Sequence, residues 1–138
     1  MDKERILSKL DELQVYLNEL RQIRPKDYLE YVSNIEKKRA CERLLQIMIE
    51  CVIDVCMLLV KELKLGLPGE ETDILEKLER KGIITAEMKS VLKRMKGFRN
   101  ILVHRYGEID DELVFENLQR LEDFERFKEL VLSFLKRL

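Results

Sequence analysis

The stretch Leu44-Leu45-Gln46-Ile47-Met48-Ile49-Glu50-Cys51-Val52-Ile53-Asp54-Val55-Cys56-Met57-Leu58-Leu59-Val60 decides the fold. It is the most hydrophobic run of the chain, yet Gln46, Glu50 and Asp54 recur in it every four residues, as one narrow polar line down an α-helix would. A membrane span takes about 20 predominantly apolar residues, and this run is shorter and carries two carboxylates. It therefore predicts a helix buried in the core of a soluble protein, apolar on most sides and touched by several neighbours.

Outward from it, no Gly or Pro occurs between Tyr28 and about Leu65, which predicts one long central helix. Upstream, Ile6, Leu10, Leu13, Leu17 and Leu20 alternate four- and three-residue steps, the stripe of a first helix that Pro25 ends. Downstream, Gly66-Leu67-Pro68-Gly69 predicts a turn. A short helix follows over Thr72 to Lys81, with Ile74, Leu75 and Leu78 apolar and Gly82 placed as its cap. Thr85 is the expected N-cap of the next helix, whose stripe reads Met88, Leu92, Met95, Arg99, Leu102 and Tyr106 up to Gly107. A last helix begins after Asp110-Asp111 and carries Val114, Leu118, Leu121, Phe124, Phe127, Val131, Phe134 and Leu138. The expected fold is a single all-α domain over residues 1–138, an antiparallel bundle of four main helices plus one short one.

Composition agrees. Of 138 residues, 38% are charged and 46% hydrophobic, with five Gly, two Pro and no Trp, which suits long helices rather than a sheet or a disordered chain. Cys41, Cys51 and Cys56 form neither a C-x-x-C pair nor a zinc spacing with the only histidine, so they read as core residues of a reducing cytoplasm, and no metal site is expected. The N-terminus lacks the apolar run of a secretory signal, and neither a membrane nor a cofactor is called for.

The chemistry concentrates in Phe98-Arg99-Asn100-Ile101-Leu102-Val103-His104-Arg105-Tyr106. Histidine is the one side chain whose ordinary pKa allows proton transfer both ways near neutrality, and His104 has a guanidinium and a phenol for company. Arg99 stands where its stripe calls for a leucine; a buried guanidinium needs a carboxylate, a ligand anion or a wet cleft. Glu50 and Asp54 are the intrachain partners to weigh, and an Asn100 amide one turn away is placed to hold the His104 ring. Residues five apart on an ideal helix point about 140° apart, so Arg99 and His104 converge only where the helix frays or where a second copy contributes across a two-fold axis. Lys89, Lys93, Arg94, Lys96, Arg99 and Arg105 lie between Glu87 and Glu108 without an acidic residue, although the chain's net charge is −1. That run suits a phosphate-bearing partner, with Lys96 and Arg105 as supporting substrate contacts.

Arg99-Asn100 followed by His104 near a helix end resembles the Arg-polar-x₃-His signature of HEPN domains. Tyr106 and the preceding Met95-Lys96-Gly97-Phe98 resemble the HepT branch, toxins of two-gene modules whose antitoxin is the minimal nucleotidyltransferase MntA. The resemblance covers most of the chain, with Arg39 to Asp54 similar to the family's second helix and Thr72 to Tyr106 to its later pattern. It implies a homodimer, or a higher assembly built on it, in which both Arg-His pairs line one cleft and cleave RNA without a metal. Carried over residue by residue, His104 is the general base or acid, Arg99 stabilises the transition-state charge, Asn100 orients, and Tyr106 is the hydroxyl modified with AMP by the partner enzyme. Two other readings stay open: a non-catalytic subunit that holds a nucleotide or presents substrate to a nucleotidyltransferase, and a structural helical adaptor.

Overall fold

The computed structural model describes residues 1–66, 71–104 and 109–138, and among these every regular element is an α-helix. In chain order they are α1 (Lys3–Ile23), α2 (Tyr28–Ser33), α3 (Ile35–Glu62), α4 (Glu71–Arg80), α5 (Ala86–His104), α6 (Asp111–Leu118) and α7 (Glu122–Lys136). The four long helices and the short α4 follow the expected plan. Leu67, Pro68 and Gly69 of the expected turn lie outside the described residues.

Two expected helices are each divided. The run from Tyr28 breaks at Asn34, whose backbone is extended (φ −124°, ψ 102°) and whose side chain accepts from the Lys37 N–H at 3.0 Å to start α3. A short amide side chain satisfies the orphan donors of a helix start and so competes with helix continuation without any Gly or Pro. α2 is held the same way: Asp27 accepts from the Glu30 N–H at 2.8 Å, and Glu30 reaches back to the Lys26 N–H at 2.9 Å. The last run breaks at Gln119–Leu121, where the N–H groups of Gln119 and Arg120 donate to the carbonyls of Glu116 and Asn117, three residues back, at 3.1 Å each. The buried Leu121 anchors that corner in the core.

α3 is the centre of the molecule and packs against α1, α2, α4, α5 and α6. α1 lies along it, with the whole stripe Ile6, Leu10, Leu13, Leu17 and Leu20 buried. α7 closes over α1 and is pinned to it by Arg21, which reaches Glu125 at 2.9 Å and Glu122 at 3.3 Å. The buried side chains form one continuous cluster, and no described helix is long and apolar enough to cross a membrane. All three cysteines belong to this cluster as free thiols. Burial pushes the Cys41 and Cys51 thiols up to about 11 and that of Cys56 up to about 12, away from the reactive thiolate form.

α3 and α4 end in the same motif but with different residues. At the end of α4, the Ile83 N–H donates to the Leu78 carbonyl at 3.0 Å and the Gly82 N–H to that of Glu79 at 2.9 Å, with Gly82 at φ +80°. At the end of α3, the Leu65 N–H donates to the Val60 carbonyl at 3.0 Å and the Lys64 N–H to that of Lys61 at 3.2 Å, with Lys64 at φ +53°. A side chain there crowds its own backbone, and glycine removes the conflict. Lys64→Gly is therefore expected to stabilise the protein by about 0.5–1 kcal/mol, less than the full left-handed penalty because glycine also loosens the unfolded chain. Urea denaturation checks this, and a stability loss of similar size would contradict it.

Candidate active site

Thr85 starts α5, its hydroxyl accepting from the Met88 N–H at 3.0 Å, so the cap read from the sequence is in place. Met88, Leu92, Met95, Phe98 and Leu102 turn into the core and fix the rotation of the helix. The expected stripe carried Arg99 instead of Phe98. Phe98 takes the core position because an aromatic ring gains far more from burial than a guanidinium, which shifts the arginine to the edge of the buried face.

Arg99 is half-buried, with its Nε shielded from solvent. It shares the flank of α5 with Lys96, whose side chain lines a narrow apolar cleft between α3, α4 and α5 together with Ile53, Ile74 and Met95. Asn100 and His104 are exposed and stand with the exposed Gly97 on another side of the helix. α5 stays regular through His104, its last residue, so helix geometry holds the arginine and histidine of one chain about 140° apart. Among the described residues no hydrogen bond joins Asn100 to His104. Arg105 and Tyr106 lie outside the described residues.

The cationic run divides into two parts. Lys89 is gripped by Glu79 at 2.8 Å and Glu76 at 3.0 Å, and Lys93 lies 3.9 Å from Glu76, so both tie α5 to α4. Hydrogen bonds to these carboxylates hold the Lys89 ammonium above its ordinary pKa, and the same ammonium holds Glu76 below the usual carboxylate range. Arg94 donates to Asp123 at 2.6 Å across to α7. These three cations tie α5 to the neighbouring helices α4 and α7. Asp54 is held by Lys9 of α1 at 3.5 Å, so that end of the polar line on α3 faces away from α5.

Asp123 is the buried charge that sequence reading missed. It is 5% exposed and is shared by Arg94 and Arg126. Arg126 is three residues on in α7, but Arg94 comes from α5, and no local spacing records that pairing.

The fold superposes on the tri-AMPylated HEPN toxin of Shewanella oneidensis, solved in complex with its MNT antitoxin, with a TM-score of 0.84 at 27% identity over 93% of this chain and 96% of that one. The family described as Ribonuclease HepT-like matches residues 13–131, and the chain belongs to it. It is 35% identical over 83 residues to the mRNA nuclease HepT of Shewanella oneidensis, covering 59% of this chain and 62% of that protein. It is 30% identical over 110 residues to the tRNA nuclease HepT of Aphanizomenon flos-aquae, covering 80% of this chain and 75% of that one. The match thus spans a little under two thirds of the Shewanella nuclease.

Removing one partner of a buried pair strands the other, at about 3–5 kcal/mol when both are fully dry. Arg94 is 33% exposed and Arg126 remains on Asp123, so Arg94→Leu is expected to cost about 2 kcal/mol. Arg126 is 53% exposed, and Arg126→Leu is expected to cost less than about 1 kcal/mol. Chemical denaturation of the two variants checks the order, which equal losses would contradict.

Proposed function

We propose that this chain is a metal-independent endoribonuclease toxin of a toxin-antitoxin module. Its active cleft forms between two copies, and AMP modification of Tyr106 by a minimal nucleotidyltransferase of the MntA type silences it. The observation that carries this reading is the end of α5: a half-buried Arg99 and an exposed His104 on different sides of one regular helix, in a chain of the HepT-like ribonuclease family. One copy does not bring the two groups to a common phosphate. Two copies related by a two-fold axis supply an arginine from one and a histidine from the other.

The chemistry needs only these groups. The His104 imidazole takes the proton of a ribose 2′-hydroxyl, whose oxygen attacks the adjacent phosphorus. The 5′-oxygen leaves with a proton returned by an imidazolium, and the product is a 2′,3′-cyclic phosphate. Arg99 faces the negative charge that builds on the phosphorane-like transition state, and Asn100 orients the reacting groups. Lys96 and Arg105 hold flanking phosphates. In the silencing step, the Tyr106 oxygen attacks the α-phosphorus of ATP and pyrophosphate departs. The adenylyl group then fills the cleft with bulk and negative charge, which repels the RNA backbone. The AMP-modified, antitoxin-bound state named for the Shewanella structural neighbour supports this step.

In the purified protein, Arg99→Ala and His104→Ala are each expected to lower RNA cleavage by about 10²-fold or more while the melting temperature stays within a few degrees. Ends bearing 2′,3′-cyclic phosphate are the diagnostic product. Cleavage at the parental rate in both variants would remove the assignment, and retained RNA without such ends would favour a binding subunit. Incubation with an active nucleotidyltransferase and ATP is expected to add adenylyl groups by mass spectrometry, with at least one lost in Tyr106→Phe.

A further inference from the structure

Between α1 and the C-terminal end of α3 runs a groove of about 610 Å³ that shares no residue with the candidate active site on α5. Among the described residues, Arg5, Lys9, Lys61 and Lys64, with the single carboxylate of Asp54, line it above a floor that includes Met57 and Leu58. Lys9 is already engaged by Glu12 at 3.3 Å and Asp54 at 3.5 Å. Arg5, Lys61 and Lys64 are exposed and make no ion pair among the described residues, and Met57 is 43% exposed. The groove therefore joins an excess of positive charge to exposed apolar surface, a pairing that a solvated surface has no need of.

Lys64 adds an independent observation. It is the only residue other than glycine with a positive φ among the described residues, and it occupies the turn position that Gly82 fills at the end of α4. The backbone there favours glycine, yet the residue is a lysine whose side chain lines the groove.

We infer that this groove is a docking site for an acidic, amphipathic segment of a protein partner, whose carboxylates meet Arg5, Lys61 and Lys64 and whose apolar side chains cover Met57 and Leu58. Charge complementarity sets the sign of the partner and the floor sets its amphipathic character. No aromatic side chain among the described lining residues offers a base a stacking face, so RNA would be held here through its phosphates alone and would leave Met57 and Leu58 uncovered. The site stands on α1 and α3 and does not depend on the ribonuclease reading.

The test uses the full chain and a fluorescent peptide with Glu and Leu at alternating three- and four-residue spacing, alongside an all-Glu peptide and a labelled single-stranded RNA. By anisotropy, the amphipathic peptide is expected to bind more tightly than the all-Glu one, and the pair Arg5→Glu with Lys61→Glu is expected to weaken it at least about tenfold. Circular dichroism confirms that these exposed changes leave the helices intact. Lys64→Gly is expected to weaken binding about fivefold while the melting temperature holds or rises, a split that a merely structural lysine would not produce. Unchanged peptide affinity in the charge-reversed protein would overturn the proposal. So would a groove variant that loses RNA affinity and keeps peptide affinity, which would mark a nucleic-acid track instead.

Discussion

The burial of α3 is the constraint on which everything else depends. Its apolar surface extends around most of the helix, so it cannot sit at an edge and must be wrapped. α1 covers one side along most of its length, α4 and α5 cover another, and α2 and α6 close one end. Once α5 must bury Phe98 and Leu102, its rotation about its own axis is set. Arg99 then falls at the border of the core and His104 in solvent, through packing that has nothing to do with catalysis. The separation of the two groups follows from the core, and the proposed two-copy cleft answers that separation.

Much of this was legible in the residues, where a signal was local. The stripe of α1, the Gly82 ending of α4, the Thr85 start of α5 and the core placement of three thiols each rest on spacing or on one side chain's intrinsic preference. The divisions at Asn34 and at Gln119–Leu121 were not legible, because a helix can end through a capping amide or a tightened turn without glycine or proline. The exchange of Phe98 for Arg99 in the buried stripe has another origin. Positions 98 and 99 both fit a helical period, and only competition for the core, decided by the neighbouring helices, chooses between them.

Charge was the least legible property. A run of six cations reads as one anion-binding stripe, yet Lys89, Lys93 and Arg94 are engaged by carboxylates of α4 and α7. The fold thus commits half of a uniform-looking segment to pairing with neighbouring helices. Between α1 and the end of α3 the reverse holds: Arg5 is far in the sequence from Lys61 and Lys64, and the three line one groove in the fold. In both cases tertiary placement, and not spacing along the chain, decides which charged groups meet.

Subunit mixing tests the composite cleft most directly. Protomers bearing Arg99→Ala are combined with protomers bearing His104→Ala, the mixed dimer is isolated with two affinity tags, and its RNA cleavage is measured against each parent variant. A cleft shared between copies retains one intact arginine and one intact histidine in the mixed dimer, so cleavage well above both variants is expected. If the mixed dimer is as inactive as its parents, each chain relies on its own pair, and the two-copy site is wrong.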